Sequence, residues 1–211
     1  NSDSTLVISG TPNNASDIQI AEGGILEFDS TAAAQVYSGV MSGAGGLSKV
    51  GENRLDLSGN SVGTFTGSTR VSNGTLFVSG GLTASGSIIL EGGLFEVGNT
   101  TSLGDSFAGS ISFSGGEFKH GQAKDFSPNF SVAANQQYRI RVGGPEDGSR
   151  AYAAGLTSQG GSLELLSGNL VLDGVNTYDG VTIISGGRLT VNGSLSDASV
   201  VDVKSDGTYQ V

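Results

Sequence analysis

Few residues in this 211-residue chain have the types and spacing to do chemistry. There is one histidine, His120, and no cysteine. A Ser/His/Asp or Cys/His site would have to be built on that one imidazole. No Gly-Asp-Ser-Gly nucleophile motif accompanies it, so His120 is read as a solvated residue at a strand end. Paired carboxylates would suit a glycosidase or a lyase. Glu91 with Glu96, or Glu117 with Asp105, are the candidate pairs, since stacked segments would bring them near one another. Glu27, Glu91, Glu96 and Glu117 all sit beside Gly-Gly turns, which predicts an outward charged face rather than a catalytic one. Zinc lacks ligands here. Calcium-binding solenoids use Gly-Gly-x-Gly-x-Asp, and Gly43-Ala44-Gly45-Gly46 has no Asp after it. No catalytic residue, cofactor or metal site is expected.

One stretch does concentrate contact chemistry. Residues 119–152 hold five of the ten basic residues, the histidine and several aromatics. Lys119, His120, Lys124, Phe126, Tyr138, Arg139, Arg141, Arg150 and Tyr152 are therefore the candidate contact surface. The competing reading is a degenerate structural segment with an ordinary loop. Loops on a rigid scaffold are where binding residues tend to sit.

The elements that must position these residues are repeats. Residues 45–80 are echoed at 160–193. Leu55-Asp56-Leu57-Ser58-Gly59 returns as Leu170-Val171-Leu172-Asp173-Gly174, and Gly74-Thr75-Leu76-Phe77-Val78 as Gly187-Arg188-Leu189-Thr190-Val191. The likeness extends outward: Ile18-Gln19-Ile20 matches Phe130-Ser131-Val132, and Leu26-Glu27-Phe28 matches Tyr138-Arg139-Ile140. A turn-forming run at 143–148 absorbs the change in spacing. The chain reads as a single β-helix fragment over 1–211, made of two long repeats at about 18–129 and 130–211.

A smaller unit lies inside: apolar-x-apolar, a glycine turn, apolar-x-apolar. Its copies are 18–28, 69–78, 88–97, 111–118, 130–140, 182–191 and 201–211. A period near 20 with alternating apolar residues is the signature of a β-solenoid coil. Alternate residues of a strand share a face, so Ile18, Ile20, Leu26 and Phe28 are predicted to point inward, and so are Leu57 and Leu172. Residues 31–36 are read as loop. Strands stacked at ~4.8 Å would make roughly nine or ten coils into a rod of about 45 Å.

Composition agrees. There are 36 glycines without a three-residue period, which excludes collagen. The formal charge of −10 argues against nucleic acid and anionic membrane as partners. The absence of cysteine means no disulfide framework. The opening Asn1-Ser2-Asp3-Ser4 has no basic or apolar run, and the pattern starts and stops in mid-phrase, which predicts a piece of a longer protein.

Gly43-Ala44-Gly45-Gly46-Leu47-Ser48-Lys49-Val50-Gly51, Leu55-Asp56-Leu57-Ser58-Gly59, Thr64-Phe65-Thr66-Gly67-Ser68-Thr69 and Gly74-Thr75-Leu76-Phe77-Val78 together resemble the autotransporter-associated β-strand repeat. The second copy departs at Ser162-Leu163-Glu164-Leu165-Leu166, which lacks the Lys. The resemblance implies an all-β, right-handed parallel β-helix. It also implies the passenger of a bacterial autotransporter, secreted or at the cell surface and carried there by a C-terminal translocator β-barrel. The expected role is a non-enzymatic adhesin or self-association scaffold. Its partner would be a host-cell surface, a matrix protein, a glycan or another copy of itself. The alternatives are the stem of a larger toxin or enzyme, and a β-helical carbohydrate-active protein.

Overall fold

The computed structural model describes residues 4–10, 13–61, 64–82, 86–98, 102–103, 107–121, 124–143 and 148–211. Asp105 and the middle of the 143–148 turn lie outside them. The architecture is all-β with parallel sheets, a β-solenoid of about nine turns. The chain divides into two compact units, Asn1–Ile111 and Ser112–Val211.

In the first unit the strands are β1 (Thr5–Ser9), β2 (Asn13–Asn14), β3 (Ile18–Gln19), β4 (Ile25–Asp29), β5 (Gln35–Tyr37), β6 (Met41–Ser42), β7 (Gly46–Val50), β8 (Arg54–Leu57), β9 (Thr69–Val71), β10 (Thr75–Val78), β11 (Ile88–Leu90) and β12 (Leu94–Val97). They form three parallel ladders, ordered β1-β4-β7-β9-β11, β2-β5-β8-β10-β12 and β3-β6. β13 (Ile111–Phe113) spans the division between the units. In the second unit are β14 (Glu117–His120), β15 (Gln137–Val142), β16 (Arg150–Tyr152), β17 (Ser162–Ser167), β18 (Asn169–Leu172), β19 (Thr182–Val191) and β20 (Val201–Gln210). β15 lies between β14 and β17, and β17 leads to the long β19. The first part of β19 pairs β17 and its last part pairs β18, so this strand turns a corner of the coil.

Each inward row stacks like on like from coil to coil. Tyr37, Leu57 and Val78 are partners in register, as are Leu55 and Leu76 with Phe95. In the second unit Phe118, Ile140, Leu165 and Ile184 form one row, and Tyr152, Leu172 and Val191 another. All of these are buried. A single coil cannot enclose a core, so each apolar row is covered only by its neighbours in the stack.

The corners are closed by glycine. A Cβ on Gly67 would stand 1.6 Å from the carbonyl oxygen of Gly45, one on Gly86 1.7 Å from that of Gly67, and one on Gly109 2.0 Å from that of Gly86. This is a column of glycines whose backbones touch. A different need appears at Gly23, where φ is +80° in the β3–β4 turn, a region that L-residues rarely enter.

Three local expectations change. Residues 35 and 36 of the supposed loop belong to strand β5, and Gln35 is buried because its amide is a corner bolt. It accepts from the Ser30 hydroxyl at 2.8 Å and donates to the Gly10 carbonyl at 3.0 Å. Phe130-Ser131-Val132 is not a strand: a 3-10 turn at Ser127–Asn129 precedes it, and Val132 is 64% exposed. Pro128 cannot donate to a ladder, and the Asp125 carboxylate takes the Ser127 N–H and hydroxyl at 2.8 and 2.6 Å. Third, the copies at 182–191 and 201–211 are not strand–turn–strand: β19 runs unbroken over Thr182–Val191 and β20 over Val201–Gln210, and β20 follows β19 past an irregularity at Ile184–Gly186.

Lys49 is the surprise of the core. It occupies an inward position between Phe28 and Val71 and is fully buried. Its ammonium donates to the carbonyls of Val50 and Gly51, both at 2.7 Å, and Asn73 at 3.2 Å. Burial pushes its pKa down from 10.5 to about 8, with the charge of Asp29 opposing. Between those two values the unfolded chain holds a proton that the folded chain has lost, so stability rises with pH across the window. Relative to Lys49→Met, which cannot titrate there, the parent is expected to gain in urea midpoint from pH 8 to pH 10. A constant difference between the two over that range would show that the ammonium is not desolvated.

Candidate functional site

The period of two along β14 and β15 sorts the basic and aromatic residues of 119–152 onto opposite faces. On β14, Glu117 and Lys119 point out while Phe118 and His120 are buried. On β15, Arg139 and Arg141 point out while Tyr138 and Ile140 are buried. Register places Arg139 beside Glu117 and Arg141 beside Lys119. On the other side Arg139 faces Glu164 of β17.

The outcome is a charged ladder on the outer face. Glu117 receives Arg139 Nη2 at 3.2 Å and Arg141 Nε at 2.5 Å. Arg139 Nε also reaches Glu164 at 2.9 Å, and its Nη1 donates to the Gly115 carbonyl at 3.1 Å. Ser185 of β19 donates to the other oxygen of Glu164 at 2.7 Å. Burial pushes the Glu164 carboxyl up, but the hydrogen bonds from Ser185 and Arg139 and the charges of Arg139 and Arg141 outweigh it. Its pKa is therefore held below the ordinary carboxylate value. Glu164 and Ser185 were not among the sequence candidates, and Glu117 was considered there only as a carboxylate partner for Asp105. The clue was there: Glu117 and Glu164 are the in-register neighbours of Arg139 once the coils are aligned, and Ser185 reaches the site through Glu164.

Four of the nine candidates are not surface residues. His120, Phe126 and Tyr152 are completely buried and Tyr138 is 1% exposed. They belong to an aromatic cluster with Phe113, Phe118 and Phe130, whose neighbouring rings meet mostly edge to face at 5.1–5.7 Å. Such pairs add to area burial. The expected solvated His120 is at a strand end, but its ring stacks on Phe118 and its Nε2 lies 2.8 Å from the Tyr152 hydroxyl. Burial, and then the charge of Asp125, raise the Tyr152 pKa well above its ordinary value. Burial raises Tyr138 to about 12, against hydrogen bonding near Ser158 and Thr157.

The remaining two candidates stand apart from the ladder. Lys124 Nζ lies 5.3 Å from the Phe126 ring centroid. Arg150 donates to the carbonyls of Gly121, Gly148 and Ser149 and acts as a backbone clamp. The structure thus brings together Lys119, Arg139 and Arg141 of the original nine.

In the first unit, the candidate carboxylates Glu91 and Glu96 are both engaged by arginine. Arg70 pairs with Glu91, which also accepts from Ser72 at 3.0 Å. Arg54 lies 3.3 Å from Glu96 and 3.8 Å over the Phe77 ring. Glu96 sits on the outer row of β12, and Glu91 in the turn that follows β11.

The Glu117 junction is partly exposed, with side-chain accessibilities of 17% for Glu117, 31% for Arg139 and 35% for Arg141. Glu117→Gln is expected to cost about 1 kcal/mol, the upper end for exposed pairs because two arginines lose their partner. Raising salt should shrink the difference, since screening weakens such pairs. Urea unfolding at low and high salt checks this; a cost unchanged by salt would mean the ladder is held by packing rather than charge.

Comparison with known families gives one match. The family described as passenger-associated-transport-repeat covers residues 47–78 and 167–191. No curated protein and no solved structure matches the chain. The two matched segments are β7 to β10 and the end of β17 to β19, the same two copies that the internal repeat marks. What fold and match define together is a parallel β-solenoid carrying two passenger-associated transport repeats, the kind of repeat typical of autotransporter passenger domains.

Proposed function

We propose that this chain is a stretch of a secreted or surface-exposed passenger that works as a non-enzymatic scaffold for adhesion or self-association. The observation that carries the reading is the pair of passenger repeats built into stacked parallel coils. Such coils have dry interiors and present rows of polar side chains at fixed spacing, which suits contact more than turnover. The ladder of Lys119, Glu117, Arg139, Arg141 and Glu164 is one such row-and-column surface. Its charges are mutually oriented, so a partner meets a surface whose side chains are already ordered.

The test is binding of the purified chain to intact host cells and matrix proteins, run beside sedimentation over a range of protein concentrations. Saturable binding, or concentration-dependent assembly, supports the reading. A monomer that binds nothing overturns it and leaves a stem whose active part is elsewhere in the full protein.

A further inference from the structure

The first unit carries a groove that the charged ladder does not use. It is about 410 Å³ and lies on the outer face of β1, β4, β7 and β9. Three features shape it. Its floor is Gly46, whose neighbours across the ladder are Ile25 on one side and Ser68 on the other. One wall is the row Glu27, Ser48 and Arg70, which are partners in register. The opposite wall is the corner backbone of Gly23, Gly24, Ala44 and Gly45.

Gly46 is not there for backbone reasons. A Cβ at that position would meet nothing closer than the Ser68 carbonyl at 3.8 Å and Ile25 Cγ1 at 3.9 Å. Its φ is not in the left-handed region. The neighbouring Gly45 is different, since its Cβ would stand 2.3 Å from Ile20 and 2.4 Å from the Ala21 carbonyl. So one glycine of the pair serves the fold, and the other leaves the notch open.

The walls offer both halves of a hydrogen-bonding code. Glu27 accepts from Ser48 at 3.2 Å, and a carboxylate has further lone pairs to offer. Arg70 is held in place by Glu91 through one nitrogen, and a guanidinium has five N–H donors. Two strand steps separate the acceptor from the donor, roughly 10 Å. Thr5 and Ser68 add hydroxyls, and Ile25 adds apolar surface. Charge selects the ligand class. Arg70 is already neutralised by Glu91, Glu27 repels anions, and the chain as a whole is at −10. Among the described residues no cluster of carboxylates converges to hold a cation.

We propose that this groove binds a neutral oligosaccharide, with its ring hydroxyls shared between Glu27 and Arg70 and its apolar C–H face over Gly46 and Ile25. The proposal rests on the reading of the chain as a binding scaffold and names a ligand class for one of its surfaces.

The experiment is an array of neutral, sialylated and sulfated oligosaccharides probed with the whole 211-residue chain and two variants. Positives are followed by calorimetric titration. Gly46→Val fills the notch without displacing backbone, and Glu27→Gln keeps the shape while altering the acceptor. The parent is expected to bind neutral members saturably. Each variant is expected to bind at least tenfold more weakly while keeping the parent's melting temperature. Binding of no neutral member, preference for sulfated members, or binding untouched by both variants would overturn the proposal. The cell-binding assay on Gly46→Val separates this from the broader reading. Cells still bound by a variant that has lost no sugar affinity would sink the groove and leave the scaffold standing. Sugar binding that depends on Gly46, without any cell or matrix binding, would do the reverse.

Discussion

Leu57→Asp is expected to destabilise the first unit by at least about 4 kcal/mol, a loss in the range reserved for a buried, unpaired charge or a large core defect. Leu57 is 2% exposed and stands in register between Tyr37 and Val78. Removing its side chain alone would cost about 2–5 kcal/mol. The new carboxylate must then either stay charged between two apolar coils or take up a proton, and both oppose folding. One residue earlier the same group is harmless: Asp56 faces outward and accepts from Ser79 at 2.5 Å. Leu172→Asp, between Tyr152 and Val191, is the equivalent change in the second unit. Urea unfolding followed by circular dichroism reads the effect. A parent-like midpoint for either variant would mean that the inward face has been assigned wrongly.

This prediction was available from sequence because a strand has a period of exactly two residues and the coils repeat. Leu26, Phe28, Leu55, Leu57, Leu76 and Val78 fall inward by alternation alone, and all are buried. The same rule, applied to 117–120 and 138–141, separates Glu117, Lys119, Arg139 and Arg141 from Phe118, His120, Tyr138 and Ile140. Residue type hid it. A histidine or a lysine suggests solvent, and only a partner from elsewhere makes burial tolerable. For His120 that partner is the Tyr152 hydroxyl, 32 residues away, and for Lys49 it includes the Asn73 carbonyl, 24 residues away. Such partners depend on how neighbouring coils register, which alternation within one strand does not reveal. Phe126 and Arg150 were harder still, since the turn around Ser127–Asn129 breaks the pattern that would have placed them. Glu117, Glu164 and Ser185 became one site only when the four successive strands β14, β15, β17 and β19 were aligned.

Gly67→Ala is expected to cost at least about 3 kcal/mol, the severe end of overpacking, whereas Gly46→Ala should be neutral or stabilising by up to about 1 kcal/mol. Both residues belong to the same repeat, and sequence alone treats them alike. The new methyl on Gly67 would stand 1.6 Å from the Gly45 carbonyl oxygen and 2.6 Å from its carbon. Those atoms are backbone in the adjacent coil, and that coil's own place is set by its ladder, so neither side can yield by rotating a side chain. Relief requires the coils to part at this corner, which strains the hydrogen bonds between β7 and β9. The fault would also be felt at Gly86, whose approach to the Gly67 carbonyl is nearly as close. At Gly46 the methyl meets only ordinary contacts and strand entropy favours alanine. Thermal melts of the two variants decide it. If Gly67→Ala melts with the parent, glycine at the corners reflects composition rather than contact between coils, and the repeat's Thr-Phe-x-Gly phrase needs another physical cause.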